Sequence, residues 1–124
     1  MIKKVLIVDD MKHNRDPLRL ILNNSGMEVL EACTGEDGIK AAKESLPDLV
    51  FMDLQLPGID GIHAAQTIKA DPATSRIIVI SFTSHVMKED KDKLMALGFD
   101  GYLTKPADEK EVHEILRCLN NPVP

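Results

Sequence analysis

Five short apolar runs alternate with longer amphipathic stretches, and this alternation most constrains how the 124-residue chain can fold. The runs predict buried strands, clearly at Val5–Val8, Leu49–Met52 and Ile77–Phe82 and less clearly at Glu28–Ala32 and Gly101–Leu103. After each run, apolar residues recur at helical spacing. Strands that alternate with helices in this way predict an α/β fold, in which helices cover both faces of a parallel sheet. We therefore expect a doubly wound, five-stranded (βα)5 domain.

The charge and the cysteines exclude several classes of protein. The formal net charge is −5, which argues against direct nucleic-acid binding and against docking on an anionic membrane. The apolar runs are also too short to cross a bilayer. Cys33 and Cys118 lack metal-binding or CxxC spacing, so we expect reduced thiols in a cytoplasmic protein. We expect one domain over residues 1–120, with 121–124 as a tail or the start of a linker.

Polar residues stand where the predicted strands end, at the edge where doubly wound folds bind ligands. These residues are Asp9 and Asp10 after the first strand, Asp53 after the third, Thr83 and Ser84 after the fourth, and Lys105 after the fifth. Each alone has an ordinary explanation: a helix start for Asp9 and Asp10, a cap for Asp53 or for the hydroxyls, and a solvated charge for Lys105. Their coincidence on one edge favours a shared site.

Three carboxylates in one cleft require a cation. Two unit charges at about 4 Å repel by roughly 4 kcal/mol at an effective dielectric constant near 20. None of these clustered residues is a histidine or a cysteine, and a set of oxygen ligands favours Mg²⁺. A carboxylate beside Mg²⁺ can attack phosphorus and become an aspartyl phosphate. Lys105 and Thr83 could then hold oxygens of the transferred group.

Other phosphate chemistries fit the sequence less well. The chain lacks the GxxxxGK[ST] motif of P-loop enzymes. Asp9 and Asp10 would repel the phosphate of a flavin mononucleotide. An aspartate-nucleophile phosphatase of the haloacid dehalogenase type has a second aspartate two residues after the nucleophile, where this chain has Gln55.

Four segments carry a resemblance to a known family, in the family's order and spacing. The segments are "VLIVDD", "DLVFMDLQLPGIDG", "VISFTS" and "GYLTKP". With them, the whole chain resembles a response-regulator receiver domain of two-component signalling. The stretch "TSHVMKEDKDKLMALGFDGYLTKP" is similar to receivers of hybrid kinases and of single-domain regulators. The resemblance implies a flavodoxin-like sheet with strand order 2-1-3-4-5.

The resemblance also implies which residues bind the metal and accept the phosphoryl group. Asp53 matches the phosphoacceptor. Asp10 matches the direct Mg²⁺ ligand, Asp9 its more distant or water-mediated partner, and Gln55 the residue whose backbone carbonyl reaches the metal. Lys105 matches the lysine of the family pattern.

A second group of residues matches the family's switch. Thr83 matches the hydroxyl that senses the phosphoryl group, and Ser84 the neighbour whose backbone N–H reaches a phosphate oxygen. Tyr102 matches the aromatic residue that swings inward when the threonine moves.

The implied function is a phosphoacceptor in a phosphorelay rather than an enzyme with turnover. The phosphoryl donor is a sensor histidine kinase or a histidine phosphotransfer protein, and phosphotransfer and autodephosphorylation are self-catalysed. A downstream effector then binds the surface formed by the fourth helix, fifth strand and fifth helix, including Lys88–Lys93. The domain is expected to be a monomer or weak dimer. The alternatives are a pseudo-receiver that only binds partners and a Mg²⁺-dependent phosphatase.

Four local features give further predictions. Pro17 is tolerated near a helix start, so we expect the first helix to begin near His13–Asp16. Phe82 is bulkier than the small apolar residue expected beside Thr83, so we expect it to alter the packing under the fourth helix, and its bulk could hold Tyr102 outside. The Lys105–Pro106 bond is predicted to be cis. The histidines, His13, His63, His85 and His113, are interpreted as surface residues, with His85 close to Thr83.

Overall fold

The computed structural model describes residues 2–84 and 88–120, without the side chains of residues 88–90. Strands and helices alternate as β1 Lys4–Val8, α1 Lys12–Asn24, β2 Glu28–Ala32, α2 Gly35–Ser45, β3 Leu49–Met52, α3 Gly61–Ala70, β4 Ile78–Thr83, α4 Lys88–Ala96, β5 Gly101–Thr104 and α5 Glu109–Asn120. The predicted tail at 121–124 and the predicted surface position of His85 fall outside the described residues.

The five strands form one parallel sheet in the order β2-β1-β3-β4-β5. The predicted fold class and strand order are therefore confirmed. Val8 of β1 is in register with Met52 of β3, so Asp9 and Asp53 leave the sheet side by side. The strand order reverses between β1 and β3, and ligand sites of open α/β sheets lie at such a point.

Two apolar cores lie on opposite faces of the sheet. The first lies beneath α2, α3 and α4 and includes Val8, Met52, Val79, Ala65 and Leu94. The second lies beneath α1 and α5 and includes Ile7, Leu18, Phe51, Val112 and Leu116. Because both faces of the sheet are covered, β3 and all of β1 after Lys4 are apolar instead of alternating with polar residues.

Helix α1 begins at Lys12, one residue before the predicted range, so Pro17 is its sixth residue rather than part of its first turn. The cause is the loop after β1. The Asp9 carboxylate accepts a hydrogen bond from the Met11 N–H at 2.9 Å. The Met11 carbonyl then accepts from the N–H groups of Asn14 and Arg15 at 3.0 and 3.3 Å, which starts the helix at once. Pro17 is exposed and leaves one helical carbonyl without its usual donor.

The predicted effect of Phe82 on the packing under the fourth helix is wrong. Phe82 is fully buried on the opposite face, in the core beneath α1 and α5. Its ring meets that of Phe51 edge to face, with centroids 6.4 Å apart. Since successive strand residues point to opposite faces, Val79, Ser81 and Thr83 are the β4 residues on the face that α4 covers.

Candidate functional site

The predicted strand-end residues line one cleft of about 470 Å³ at the carboxyl edge of the sheet. Its lining includes Asp10, Asp53, Gln55, Thr83, Ser84 and Lys105. Asp9 has no exposed surface, and its carboxylate contacts Lys105, which lines the cleft. These residues lie at or just after the carboxyl ends of β1, β3, β4 and β5, which the parallel register of the sheet brings to one edge.

The three aspartates converge closely enough to share one cation. One carboxylate oxygen from each of Asp9, Asp10 and Asp53 lies within 4.8 Å of the others. Asp53 is 5% exposed, whereas Asp10 is open to solvent. The set contains only oxygen donors, which is the ligand chemistry of Mg²⁺.

Lys105 supplies positive charge to the two buried carboxylates. Its Nζ lies 2.6 Å from Asp9 Oδ2 and 3.2 Å from Asp53 Oδ2. The contact with Asp9 is a close ion pair. The ammonium also lies 5.2 Å from the centroid of the buried Phe82 ring, with which it makes a cation–π contact. The Lys105–Pro106 bond is cis, as predicted.

The surroundings of Asp53 disfavour its ionised form when no metal is bound. Burial raises the pKa of the Asp53 carboxyl above its ordinary value. The Gln55 N–H, which donates to Asp53 Oδ1 at 3.1 Å, and the Lys105 ammonium both lower this pKa, while the Asp9 charge raises it again. Lys105 alone therefore leaves the site short of positive charge, which favours a cation.

The loop after Asp53 is held against the site by a close backbone contact at Gly61. A Cβ built on Gly61 would lie 1.8 Å from the Asp53 carbonyl oxygen, so no other residue fits there without a shift. The Gly61 N–H donates to the Leu54 carbonyl at 3.2 Å. Asp60 caps α3 by accepting from the His63 N–H at 2.8 Å. These contacts fix the path of the chain between Asp53 and α3.

Tyr102 lies apart from the cleft. Its ring is 39% exposed, and the Nζ of Lys91 lies 5.7 Å from the ring centroid. Tyr102 is in register with Ser81, so its side chain leaves the sheet on the face that Thr83 also uses. Thr83 is half-buried and Ser84 is exposed, and both border the cleft.

The sequence pattern of the response regulator receiver domain matches residues 5–117. The chain belongs to the response regulator receiver family. Protein PilH of Pseudomonas aeruginosa is 38% identical over 117 residues, which cover 94% of this chain and 94% of PilH. The sensor protein GacS of Pseudomonas syringae is 34% identical over 98% of this chain, and the match spans 14% of the length of GacS.

A solved receiver structure agrees with the fold. The receiver domain of the sensor histidine kinase PA1611 from Pseudomonas aeruginosa, determined with a magnesium ion coordinated in its active-site cleft, matches with a TM-score of 0.83. It is 26% identical, and the match covers 94% of this chain and 96% of that one.

The first turn of α1 contributes cleft residues that sequence reasoning missed in this receiver domain. Met11, His13 and Asn14 line the cleft beside Asp10. His13 is exposed, as predicted for a surface residue, and so are His63 and His113. Their position in the sequence could have indicated this role, because they directly follow the first strand at the ligand-binding edge of the sheet.

In the described part of the chain, no helix is long and apolar enough to span a membrane.

Proposed function

We propose that this receiver takes a phosphoryl group onto Asp53 from a phosphohistidine. An Asp53 carboxylate oxygen forms the new P–O bond, and the P–N bond of the donor breaks with its electron pair returning to the imidazole. The imidazole leaves as a neutral ring when its other nitrogen carries a proton. One observation carries the proposal: the cleft holds Asp53 beside Lys105 at 3.2 Å, with two further aspartates and Thr83 at the same edge.

The donor set fits Mg²⁺. We assign the metal to Asp10, Asp53 and the backbone carbonyl of Gln55, with Asp9 as a more distant partner. The close approach of the three carboxylates and the unfavourable burial of ionised Asp53 support this assignment. So does the magnesium ion in the PA1611 receiver. When bound, Mg²⁺ supplies positive charge that offsets the charge on the transferring group.

The chain's own residues complete the phosphate site. Lys105 is already paired with an Asp53 oxygen and can turn to an oxygen of the incoming group. Thr83 offers its hydroxyl and Ser84 its backbone N–H, and both residues border the cleft. The exposure of Asp10 and Ser84 leaves the cleft open to a donor histidine.

The output surface is proposed to be α4-β5-α5. Thr83 and Tyr102 leave the sheet on the same face, so a Thr83 hydroxyl drawn toward phosphate vacates space that Tyr102 can enter. A groove of about 360 Å³ on this surface is lined by Lys91, Met95, Tyr102, Ile115 and Leu119. Met95 is 51% exposed, which leaves an apolar contact available to an effector. Part of the predicted partner region, Lys88–Lys93, has side chains outside the described residues.

The proposed partners are a sensor histidine kinase or histidine phosphotransfer protein as donor, and an effector protein as target. The domain, residues 1–120, is taken to act as a monomer or weak dimer. The proposed location is the cytoplasm, which fits the two exposed cysteines, Cys33 and Cys118, that form no disulfide.

A labelling experiment tests the function. The protein is mixed with Mg²⁺ and a donor protein that carries labelled phosphohistidine. We expect one protein-bound label per chain in the parent and none in the Asp53→Asn variant. Release of phosphate while the chain itself retains no label would instead indicate a phosphatase. A parent that takes no label and still binds the donor would be a pseudo-receiver.

A further inference from the structure

Arg15 of α1 connects the cleft to the neighbouring strand. Its side chain is 11% exposed and has two partners. The Nη1 group donates to the backbone carbonyl of Asp9 at 2.7 Å, and Nε pairs with Glu31 Oε1 of β2 at 3.0 Å. The phosphoryl chemistry described above uses neither Arg15 nor Glu31. A guanidinium this buried is stable only if its partners are well placed.

The hydrogen bond from Arg15 to the Asp9 carbonyl fixes the peptide plane that precedes Asp10, a proposed metal ligand. The carbonyl that Arg15 holds belongs to the planar peptide between Asp9 and Asp10. On the other side of Asp9, its N–H donates to the Ala32 carbonyl at 3.1 Å. The Asp9 carboxylate accepts from the Met11 N–H at 2.9 Å. With these contacts the backbone has little freedom, and the direction in which Asp10 leaves it is set.

Arg15 affects the site mainly by fixing the orientation of the Asp9 carbonyl, and only weakly through its charge. Glu31 neutralises the guanidinium at 3.0 Å, so little net charge reaches the three aspartates. A guanidinium presents several N–H donors in a rigid planar fork and can hold a carbonyl and a carboxylate together. A lysine ammonium is a single point charge on a flexible chain and lacks that fork.

We propose that Arg15, oriented by Glu31, is a positioning residue that sets the Asp9–Asp10 peptide and so the Asp10 carboxylate for metal binding. The proposal rests on the proposed function, since it deepens the account of the same site. Partners that orient metal ligands typically contribute about 10–100-fold to metal affinity. Loss of Arg15 should therefore weaken Mg²⁺ binding by about tenfold.

The test compares Mg²⁺ affinity, measured from amide chemical shifts during titration, in Arg15→Ala, Arg15→Lys and Arg19→Ala. Arg19 is the matched control, because it pairs with the same Glu31 at 3.5 Å and lies on the same helix, yet its partners are Glu31 and Asp16 rather than the Asp9 carbonyl. We expect Kd to rise about tenfold in both Arg15 variants and to stay within about twofold in Arg19→Ala. Urea unfolding without metal gives the stability of each variant.

A merely structural role would lower stability and leave the Mg²⁺ Kd of the folded protein unchanged, and that result overturns the proposal. If Arg15→Ala fails to fold, Glu31→Gln is used, which preserves shape and removes the charge that orients Arg15. It should raise Kd severalfold, and an unchanged Kd counts equally against the proposal. A parent that binds Mg²⁺ but accepts no phosphoryl label would overturn the proposed function alone, because the comparison of Mg²⁺ affinities stands without phosphotransfer.

Discussion

Replacing the proposed phosphoacceptor should stabilise the fold when no metal is present. We expect Asp53→Asn to raise the free energy of unfolding by about 1–2 kcal/mol at pH 7 in the presence of a chelator. The variant removes a carboxylate that is 5% exposed and lies within 4.8 Å of oxygens from two others. The amide is nearly isosteric and can still accept from the Gln55 N–H.

The sign of the effect follows from the balance of Coulomb repulsion, Coulomb attraction and burial. The oxygens lie within 4.8 Å of one another, so at an effective dielectric constant of about 20 each of Asp9 and Asp10 repels Asp53 by at least about 3.5 kcal/mol. Lys105 at 3.2 Å attracts it by about 5 kcal/mol. Water around the exposed Asp10 weakens its share, so attraction and repulsion nearly cancel. The burial cost of the ionised carboxyl then decides the sign, in agreement with the raised pKa of Asp53.

The pH dependence gives an independent check. The pKa of Asp53 is raised in the folded state, so the unfolded chain ionises at lower pH than the folded one. The penalty is fully present above the raised pKa and absent below the ordinary value, where both states are protonated. The advantage of Asp53→Asn should therefore shrink as the pH falls through this window.

Urea unfolding followed by circular dichroism measures the effect, with Asp60→Asn as the control. Asp60 is exposed in the same loop, and asparagine caps a helix as well as aspartate does, so this variant should be near neutral. An Asp53→Asn protein that is less stable than its parent at pH 7 would refute the reasoning, because the Lys105 attraction would then exceed burial and repulsion together.

Four further substitutions probe the site and its surroundings. Asp10→Asn should weaken Mg²⁺ binding by at least about tenfold and slow phosphorylation in parallel, and an unchanged Kd in a titration would contradict the assignment. Thr83→Ala should keep the label on Asp53 while the phosphorylation-dependent change in effector affinity shrinks; a full response would exclude Thr83 as the switch. Gly61→Ala should cost about 3 kcal/mol or more in urea unfolding, because its Cβ would meet the Asp53 carbonyl oxygen, and a neutral result would count against that contact. Ser81→Ala should raise stability by up to about 1 kcal/mol, since its buried hydroxyl has no hydrogen-bond partner among the described residues, and a clear loss would reveal a partner.

The strands and the shared edge could be predicted because the signals are local. A run such as Val5–Val8 is buried on both faces, and its apolar character marks it without reference to the rest of the chain. Asp53 and Lys105 meet because parallel strands end at the same edge. The same uniform burial hides which face a side chain uses, since a strand that is apolar throughout shows no alternation. In β4, by contrast, Ser81 and Thr83 alternate with Ile80 and Phe82, so the local sequence does place Phe82 on the opposite face from Thr83.

The details of the cleft depend on contacts that sequence spacing does not encode. Asp9 and Asp10 are adjacent carboxylates, and the sequence does not show which of them is buried. Asp9 is the buried one because of the register of β1 and its ion pair with Lys105. The start of α1 depends on Asp9 binding the Met11 N–H, and Met11 itself has no capping side chain to mark it. The contact of Arg15 with the Asp9 carbonyl likewise joins a helix residue to backbone.

Tyr102 is the only tyrosine in a chain that has no tryptophan. Nearly all near-ultraviolet emission of the protein therefore comes from one ring, at the β5 edge beside Lys91. The chain thus carries its own optical probe, placed on the proposed output surface rather than in the phosphoryl site. Fluorescence of the unlabelled protein reports on the environment of that edge, while chemistry at Asp53 can be followed separately by the fate of the label. Comparing the time courses of the two signals in one sample shows whether the edge rearranges with phosphoryl transfer or after it.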